Sequence, residues 1–578
     1  MTIMRLKAFL IMAMLCLTTH VMAEKKNVTI KMLATSDVHG YFFPYDFIEH
    51  KPIRGSLARV SRYVKDVRKE YGKNMLLFDN GDILQGQPTC YYSNFVRKDS
   101  INAAALAVNY MQYDAQTIGN HDVETGHDVY DKWISEVNCP MLGANVVDTA
   151  TGDTYLKPYA VFEREGVRIA VIGMITPAIP YWLHEKLWQG LRFEDMVSAS
   201  RKWVRHVKDV EKADVVVGLF HSGWDGGITT DKYSEDASMA VAQQVDGFDV
   251  IFYGHDHKRA IQNVVNHNGN KVVCIDPGCN ATSVADATLT LTLEDEKVVS
   301  KNIESSLIDV RDMDIDEGFM ECMEDVVNDV TRFVSIKLGR LTRAIRTRDC
   351  FFGSSDLNDL IHDIQLTVTG ADISINAPLT FNSTIEAGDV TIADMFKLYK
   401  YENDLYVMKL RGHEIRKHLE MSYDQWVNTM TSPADHIMLL SDDNTSTRPG
   451  FKNLTFNFDS AAGIDYEVDV TKPDGQKVSI QRMSNGEPFV ESKWYRVAMN
   501  SYRGNGGGEL LTKGAGIPAE ELESRIIWKS EHDQRYYILK EIQRRKIVTP
   551  KAFNNWKFVP EEWTRPALER DRKLLFNE

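Results

Sequence analysis

Short apolar runs alternate with amphipathic segments over the first half of the chain. Residues 28–33, 75–78 and 214–219 are runs of β-branched and other apolar side chains, which predict strands buried on both faces. Residues 57–70 and 196–212 show helical apolar periodicity with charged outer positions, which predicts amphipathic helices. Strands that alternate with helices predict an α/β sandwich around a buried sheet.

The length of 578 residues favours more than one folded domain. A polar helical stretch with few turn residues begins near residue 316, and a second set of elements follows it. The last segment is basic and aromatic, and we expect it to pack on the surface of the second domain. The expected segments are a signal peptide (1–23), a first domain (27–315), a connector helix (316–345), a second domain (346–545) and a C-terminal tail (546–578).

The first residues have the pattern of a secretory signal. Arg5 and Lys7 precede an apolar run over residues 8–17, and Ala23 is a small residue suited to cleavage. The apolar run is shorter than the roughly 20 residues of a membrane-spanning helix. We therefore expect export to a periplasm or beyond, without stable membrane insertion. Six cysteines remain after cleavage, and both disulfides and buried free thiols are compatible with the sequence.

Composition and charge narrow the classes of function. Hydrophobic residues make up 43% of the chain, which excludes a mainly disordered protein. There are 82 acidic and 67 basic residues, giving a net charge of -15, the wrong sign for holding long nucleic acid. Any phosphate chemistry must therefore depend on a local positively charged group, such as a bound metal ion.

Polar motifs stand where predicted strands end, which is where α/β proteins display functional groups. Each motif alone is ordinary turn chemistry, but all of them follow apolar runs. These motifs are Asp37-Val38-His39-Gly40, Gly81-Asp82, Gly119-Asn120-His121-Asp122, His221 and Gly254-His255-Asp256-His257.

The residue types in these motifs suit two divalent metal ions. A pair of ions about 4 Å apart needs a bridging carboxylate and several nitrogen or oxygen ligands. Asp82 is the candidate bridge. Mixed imidazole and carboxylate ligands favour Zn, Mn, Fe or Co. The predicted sets are Asp37, His39 and His257 for one ion, and Asn120, His221 and His255 for the other.

These motifs, in this order, resemble the calcineurin-like metallophosphoesterases. Almost the whole chain, including residues 54–59 and 140–145, is similar to the exported bacterial nucleotidases that carry a second nucleotide-binding domain. The resemblance implies a sandwich of two sheets flanked by helices, joined to a second α/β domain. It also implies that His121 stabilises the transition state or protonates the leaving oxygen. Its carboxylate partner is either Glu124 or Asp122, and the sequence leaves that choice open.

The resemblance further implies how the second domain recognises a small nucleotide. Tyr401 and Tyr502 match the aromatic positions that sandwich the base, and Asn403 matches the position that hydrogen-bonds it. Stacking contributes roughly 1–3 kcal/mol per base and suits any base.

One branch of the family fits the second domain best. Residues 376–381 read Asn-Ala-Pro-Leu-Thr-Phe, where typical 5'-nucleotidases carry a Gly-Gly-Ile-Arg-like stretch. The chain looks more like the 2',3'-cyclic-nucleotide 2'-phosphodiesterase/3'-nucleotidase branch. The alternatives are a 5'-nucleotidase or nucleotide-sugar hydrolase with the same site, and a nucleotide-binding protein with an inactive metal site. The sequence leaves the oligomeric state open.

Overall fold

The first domain is a sandwich of two mixed sheets. The structure, a computed structural model, describes residues 25–399, 401–441 and 450–577, so the predicted signal peptide lies outside the described residues. The sheets have the strand orders β14-β13-β1-β2-β3-β4 and β11-β12-β10-β7-β6-β5. The strands of these two sheets and of the hairpin β8–β9 are β1 (Lys25–Thr35), β2 (Met75–Asp79), β3 (Ala115–Thr117), β4 (Met141–Leu142), β5 (Tyr159–Arg164), β6 (Val167–Ile175), β7 (Val215–His221), β8 (Gly226–Thr229), β9 (Ser234–Asp236), β10 (Val250–Tyr253), β11 (Arg259–Val265), β12 (Lys271–Pro277), β13 (Ser283–Glu294) and β14 (Lys297–Asp309).

Parallel pairing brings the ends of the key strands together. Strands β1 to β4 are parallel neighbours in one sheet, and β6, β7, β10 and β12 are parallel neighbours in the other. The facing sides of the sheets bury apolar residues such as Leu76, Val171, Val217 and Phe252. Because the carboxyl ends of parallel strands meet at one edge, the loops after β1, β2, β3, β7 and β10 converge.

Helices cover the outer faces of both sheets, which confirms the predicted fold class. Helix α1 shows the pattern most clearly, since it buries Leu57, Val60, Val64 and Val67 on one face. The helices of this domain and of the connection are α1 (Leu57–Tyr71), α2 (Ala103–Met111), α3 (Asn120–Val123), α4 (His127–Glu136), α5 (Met196–Asp209), α6 (Ser238–Gln244), α7 (Glu317–Cys322) and α8 (Glu324–Val334).

The second domain contains a five-stranded sheet and two three-stranded sheets. Their strand orders are β19-β16-β22-β18-β23, β17-β15-β24 and β21-β20-β25. Its elements include β15 (Lys337–Leu341), α9 (Asp356–Thr369), β16 (Ile373–Asn376), β17 (Gly388–Thr391), α10 (Ile392–Leu398), β18 (Asp404–Arg411), α11 (Gly412–Trp426), β19 (Ser460–Ala462), β20 (Ile464–Asp469), β21 (Val478–Met483), β22 (Trp494–Asn500), β23 (Ile526–Asp533), α12 (Gln534–Arg545), β24 (Ile547–Val548), β25 (Trp556–Val559) and α13 (Glu561–Phe576).

Two predicted boundaries are wrong. The connector is not one helix to residue 345, because it consists of α7 and α8 and ends at Val334. Strand β15 then pairs with β17 and β24, so the second domain begins earlier than predicted. The segment after residue 545 is not a surface tail, because β25 pairs with β20 and buries Trp556 and Phe558 in the core. The alternation of these aromatics with an exposed lysine is a strand pattern.

Two further features concern the state of the cysteines and the hydropathy of the helices. The six cysteines in the described part of the chain are free thiols. Within the same residues, no helix combines the length and the apolar composition needed to cross a bilayer.

Candidate metal centre

Five of the predicted ligands adopt left-handed backbone conformations in the loops that follow the strands. Such conformations cost roughly 1–3 kcal/mol each in residues other than glycine and cluster at functional sites. Main-chain hydrogen bonds hold the loops together, since Asp37 N–H donates to Gly81 (3.0 Å) and His39 N–H donates to Asp82 (2.9 Å). The φ angles are 50° for Asp37, 50° for His39, 58° for Asp82, 82° for His255 and 60° for His257.

Asp37, His39 and His257 form the first cluster. Their candidate ligand atoms all lie within 4.8 Å of one another. His39 Nδ1 faces the Gln85 carbonyl at 3.0 Å, which leaves Nε2 to face His257 Nε2 at 3.1 Å. Asp37 Oδ1 is buried 3.3 Å from His257 Nε2, and no described residue gives it a well-formed hydrogen bond. Three groups with lone pairs, which can accept a hydrogen bond or bind a cation, therefore face one another.

Asp82, His221 and His255 form the second cluster, again with ligand atoms within 4.8 Å. His221 Nδ1 lies 2.8 Å from the Asn80 carbonyl and therefore carries the proton. Its Nε2 then presents a lone pair toward Asp82 Oδ2 at 3.2 Å and Asn120 Oδ1 at 3.0 Å. The predicted bridging carboxylate thus lies in the second cluster, and its contact with an ion of the first cluster stays a prediction.

Both clusters fit divalent cations. Lone pairs that converge in a buried site repel one another unless a proton or a cation lies between them. The donors are imidazole nitrogens, carboxylate oxygens and one amide oxygen, a set that suits Zn, Mn, Fe or Co. The orphaned oxygen of Asp37 supports the same reading, because a bound ion would satisfy it.

The electrostatics of the clusters also favour cations. Burial opposes protonation of His221, but the Asp82 charge outweighs it and raises the pKa of His221 to about 9. Burial likewise opposes protonation of His257, and Asp37 raises the pKa of that ring to about 11. Burial dominates at His39 and lowers its pKa to about 3. A divalent cation competes with protons for the same negative field, so metal binding would release protons here.

His121 lies beside the clusters and contacts Glu124. Its ring centroid is 5.5 Å from that of His39, and its Nδ1 is 2.6 Å from Glu124 Oε2. Burial opposes its charged form, but Asp82 and Glu124 together raise the pKa of His121 to about 9. Of the two carboxylates that the sequence left open, Glu124 is the one that contacts the ring.

Asp122 has a different task from the one considered for it. Its buried carboxylate accepts main-chain N–H groups rather than contacting His121 within the described structure. Each such bond draws the loop after β2 toward the turn after β3, so Asp122 positions the Asp82 loop. The N–H donors are Asp82 (2.8 Å), Ile83 (3.0 Å), Leu84 (2.8 Å) and Gly119 (2.8 Å).

The predicted base-binding residues lie on the second domain near this centre. Burial, followed by the charge of Glu124, raises the pKa of the Tyr401 hydroxyl. Burial also raises the pKa of Tyr502, and Tyr401 contributes to that shift. Asn403 lies with its Nδ2 3.4 Å from the Tyr399 hydroxyl.

Tyr502 lies in the one-turn helix Ser501–Gly504, and the glycine-rich loop after it packs tightly against the Tyr502 ring. A Cβ atom on Gly507 would lie 2.5 Å from the Tyr502 ring, so only glycine lets the backbone pass so close. Phe456 packs perpendicular to the same ring at 6.0 Å between centroids. The Arg503 guanidinium donates to the Phe456 carbonyl at 3.0 Å and to the Gly507 carbonyl, which fixes both sides of the loop.

Sequence reasoning missed two residues of the centre. Trp182 lies with its ring centroid 5.7 Å from that of His255, and its carbonyl accepts the Asn505 side chain at 3.3 Å across the domain boundary. Glu235 Oε1 lies 3.1 Å from His255 Nε2. Both residues lie in segments that follow parallel strands of the second sheet, which was the available signal.

Comparison with known proteins places both halves of the chain. Residues 30–259 match the family model described as calcineurin-like phosphoesterase. Residues 335–513 match the model described as 5'-nucleotidase, C-terminal domain.

Characterised relatives align over nearly the whole chain. The trifunctional nucleotide phosphoesterase protein YfkN of Bacillus subtilis is 26% identical, over 98% of this chain but only 41% of YfkN. The 2',3'-cyclic-nucleotide 2'-phosphodiesterase/3'-nucleotidase of Haemophilus influenzae is 25% identical, over 93% of this chain and 88% of the relative.

Solved structures share the fold. A 5'-nucleotidase precursor from Thermus thermophilus superposes with a TM-score of 0.63 at 20% identity, covering 92% of this chain and all of the other. The chain therefore joins a calcineurin-like phosphoesterase domain to a 5'-nucleotidase C-terminal domain, and its relatives are metal-dependent hydrolases of phosphoric esters.

Proposed function

We propose that the protein is an exported two-metal phosphoesterase that hydrolyses 2',3'-cyclic nucleotides to 3'-nucleotides, and these to nucleoside and phosphate. The observation that carries the proposal is the pair of candidate ligand clusters with His121 beside them. The relative from Haemophilus influenzae, which aligns over most of both chains, bears the same activity in its name.

The residues of the centre divide the work. Divalent cations held by the two clusters would activate water and neutralise charge on the phosphate. His121 keeps Nδ1 on Glu124, so its Nε2 is free to donate a proton. In the first step water adds to phosphorus and the ribose O2' leaves with a proton from His121. The product is a 3'-phosphate, and a second hydrolysis frees the nucleoside.

The second domain would hold the base rather than the phosphate. Tyr401 and Tyr502 would stack on its faces, and the Asn403 amide would contact its edge. Asn376, which begins the segment lacking the arginine of typical 5'-nucleotidases, is buried and donates to Asn358 at 2.5 Å. Residues 376–381 therefore offer no cationic side chain to a 5'-phosphate.

A three-substrate assay tests the proposal. Purified protein is given 2',3'-cyclic AMP, 3'-AMP and 5'-AMP in the presence of Mn²⁺, with and without chelator. We expect turnover of the first two substrates, little turnover of the third, and loss of activity on chelation. A preference for 5'-AMP would favour the alternative of a 5'-nucleotidase or nucleotide-sugar hydrolase. Binding without turnover in any metal would favour the inactive nucleotide-binding protein.

A further inference from the structure

The hairpin β8–β9 brings a carboxylate against the outer side of His255. Glu235 Oε1 lies 3.1 Å from His255 Nε2, and both side chains are largely buried, with 14% and 13% exposed. Its other oxygen, Oε2, accepts the Ile228 N–H across the hairpin at 2.6 Å. Both oxygens of Glu235 are therefore committed, one to the main chain and one to the imidazole.

The sheet edge fixes the position of this carboxylate. The Glu235 main-chain carbonyl accepts the Thr176 hydroxyl at 3.0 Å and the Ser222 hydroxyl at 2.8 Å. Thr176 directly follows β6 and Ser222 directly follows β7, so the two donors are anchored to rigid parallel strands. The contact between Glu235 and His255 thus rests on the same scaffold as the metal ligands.

The orientation of His255 is the reverse of that of its neighbours. In His39 and His221, Nδ1 faces a main-chain carbonyl and Nε2 faces the cluster. In His255, Nε2 faces the Glu235 carboxylate, with Asp236 Oδ1 farther away at 3.9 Å. The ring is close enough to share an ion either with Asp82 and His221 or with Glu235 and Asp236. A ring that donates from Nε2 has its lone pair on Nδ1.

We infer that Glu235 is a positioning residue, which holds the Nε2 proton of His255 so that Nδ1 binds the ion of the second cluster. This inference rests on the proposed metal centre. A carboxylate partner also makes an imidazole a stronger ligand than a carbonyl partner does, and loss of such a partner typically costs about 10- to 100-fold in metal affinity.

Metal titration of the full-length apo protein tests the inference without any substrate. We expect Glu235→Gln to weaken the binding of Mn²⁺ to the second cluster by about tenfold, and Glu235→Ala to weaken it by up to about a hundredfold. Two ions should still bind at saturation. Asp231→Asn is the matched control, because Asp231 is an exposed acid of the same hairpin. It removes the same charge, and we expect unchanged affinities.

A structure of the metal-loaded protein tests the geometry. We expect His255 Nδ1 on the ion and Nε2 on Glu235. Coordination through Nε2, direct coordination by Glu235, or wild-type affinities in folded Glu235→Gln and Glu235→Ala proteins would each overturn the inference. Failure of the proposed substrate specificity would leave these measurements unaffected, so the two proposals fail independently.

Discussion

The metal centre and the base site are built in opposite ways. Asp37 and His221 are fully buried and Asp82 is 1% exposed, and their loops are joined by main-chain hydrogen bonds at a sheet edge. Tyr401 and Tyr502 are only partly buried, and in the second domain Tyr401 lies in a loop and Tyr502 in the one-turn helix Ser501–Gly504. The groups proposed for chemistry are thus preorganised by parallel strands, whereas the groups proposed for recognition depend on how a loop and a short helix are held.

The two regions should differ in how well they tolerate substitutions. Strain in the metal loops is offset by many local hydrogen bonds, so changes there are expected to abolish function. The base site depends largely on stacking, which tolerates variation. Mutations in the metal centre should therefore lower activity more strongly than mutations in the base site, which should mainly weaken nucleotide binding.

Asp82→Asn should have the largest effect. It removes a charge from the second cluster, and losing several kcal/mol of charge stabilisation corresponds to about a thousandfold in kcat/KM. Asp225→Asn, an exposed position after β7, is the matched control. Metal content and kcat/KM are measured for both variants. Wild-type values in Asp82→Asn would show that Asp82 is not a ligand of the metal centre.

Substitutions of Glu124 and of Asp122 should have different effects, on catalysis in the first case and on stability in the second. We expect His121→Asn to lower kcat on the order of a hundredfold, and Glu124→Gln to lower it less. Asp122→Asn should instead lower the free energy of unfolding by about 1–3 kcal/mol, because main-chain N–H groups lose a charged acceptor. Kinetics and urea unfolding on each variant check the division, and a purely kinetic defect in Asp122→Asn would contradict it.

Tyr502→Leu should have a moderate effect confined to recognition. Loss of about 1–3 kcal/mol of stacking raises KM for a nucleotide by roughly 5- to 150-fold, with kcat kept. Glycerol 2-phosphate has no base, so its kcat/KM should stay unchanged. An equal loss with both substrates would mean that Tyr502 supports the structure rather than the base.

Acid should reveal a difference in stability rather than in activity, namely a loss of stability in the second domain. Burial lowers the pKa of His362 to about 3, while an unfolded histidine titrates near 6.5. Between these values only the unfolded chain takes up the proton, so the free energy of unfolding falls by about 1.4 kcal/mol per pH unit. Urea unfolding at several pH values should show a shallower slope in His362→Gln, and the same slope in the exposed-site control His532→Gln.

The sequence predicts the fold class and the groups of the metal clusters because each ligand follows an apolar run that can only be a buried strand. It does not separate Glu124 from Asp122. Both follow His121 closely, and only the helical turn of α3 brings the residue three positions on to the same face.

Glu235 and the C-terminal strands were out of reach for a different reason. Glu235 contacts His255 because the hairpin β8–β9 folds back over the sheet edge. Its place after a parallel strand marks the segment as a candidate, but no local pattern identifies the contact itself. The partners of β24 and β25 lie far away along the chain, so an aromatic segment reads as surface until its pairing is known.

Strand β24 beside β15 also sets an order of assembly. The sheets of the first domain use only residues 25–309, so they can close once that stretch has emerged from the ribosome or a membrane channel. The second domain must wait for Ile547 and Trp556, which begin the last strands of two of its sheets. The half that would bind metal can therefore fold while the half that would hold the base is still incomplete.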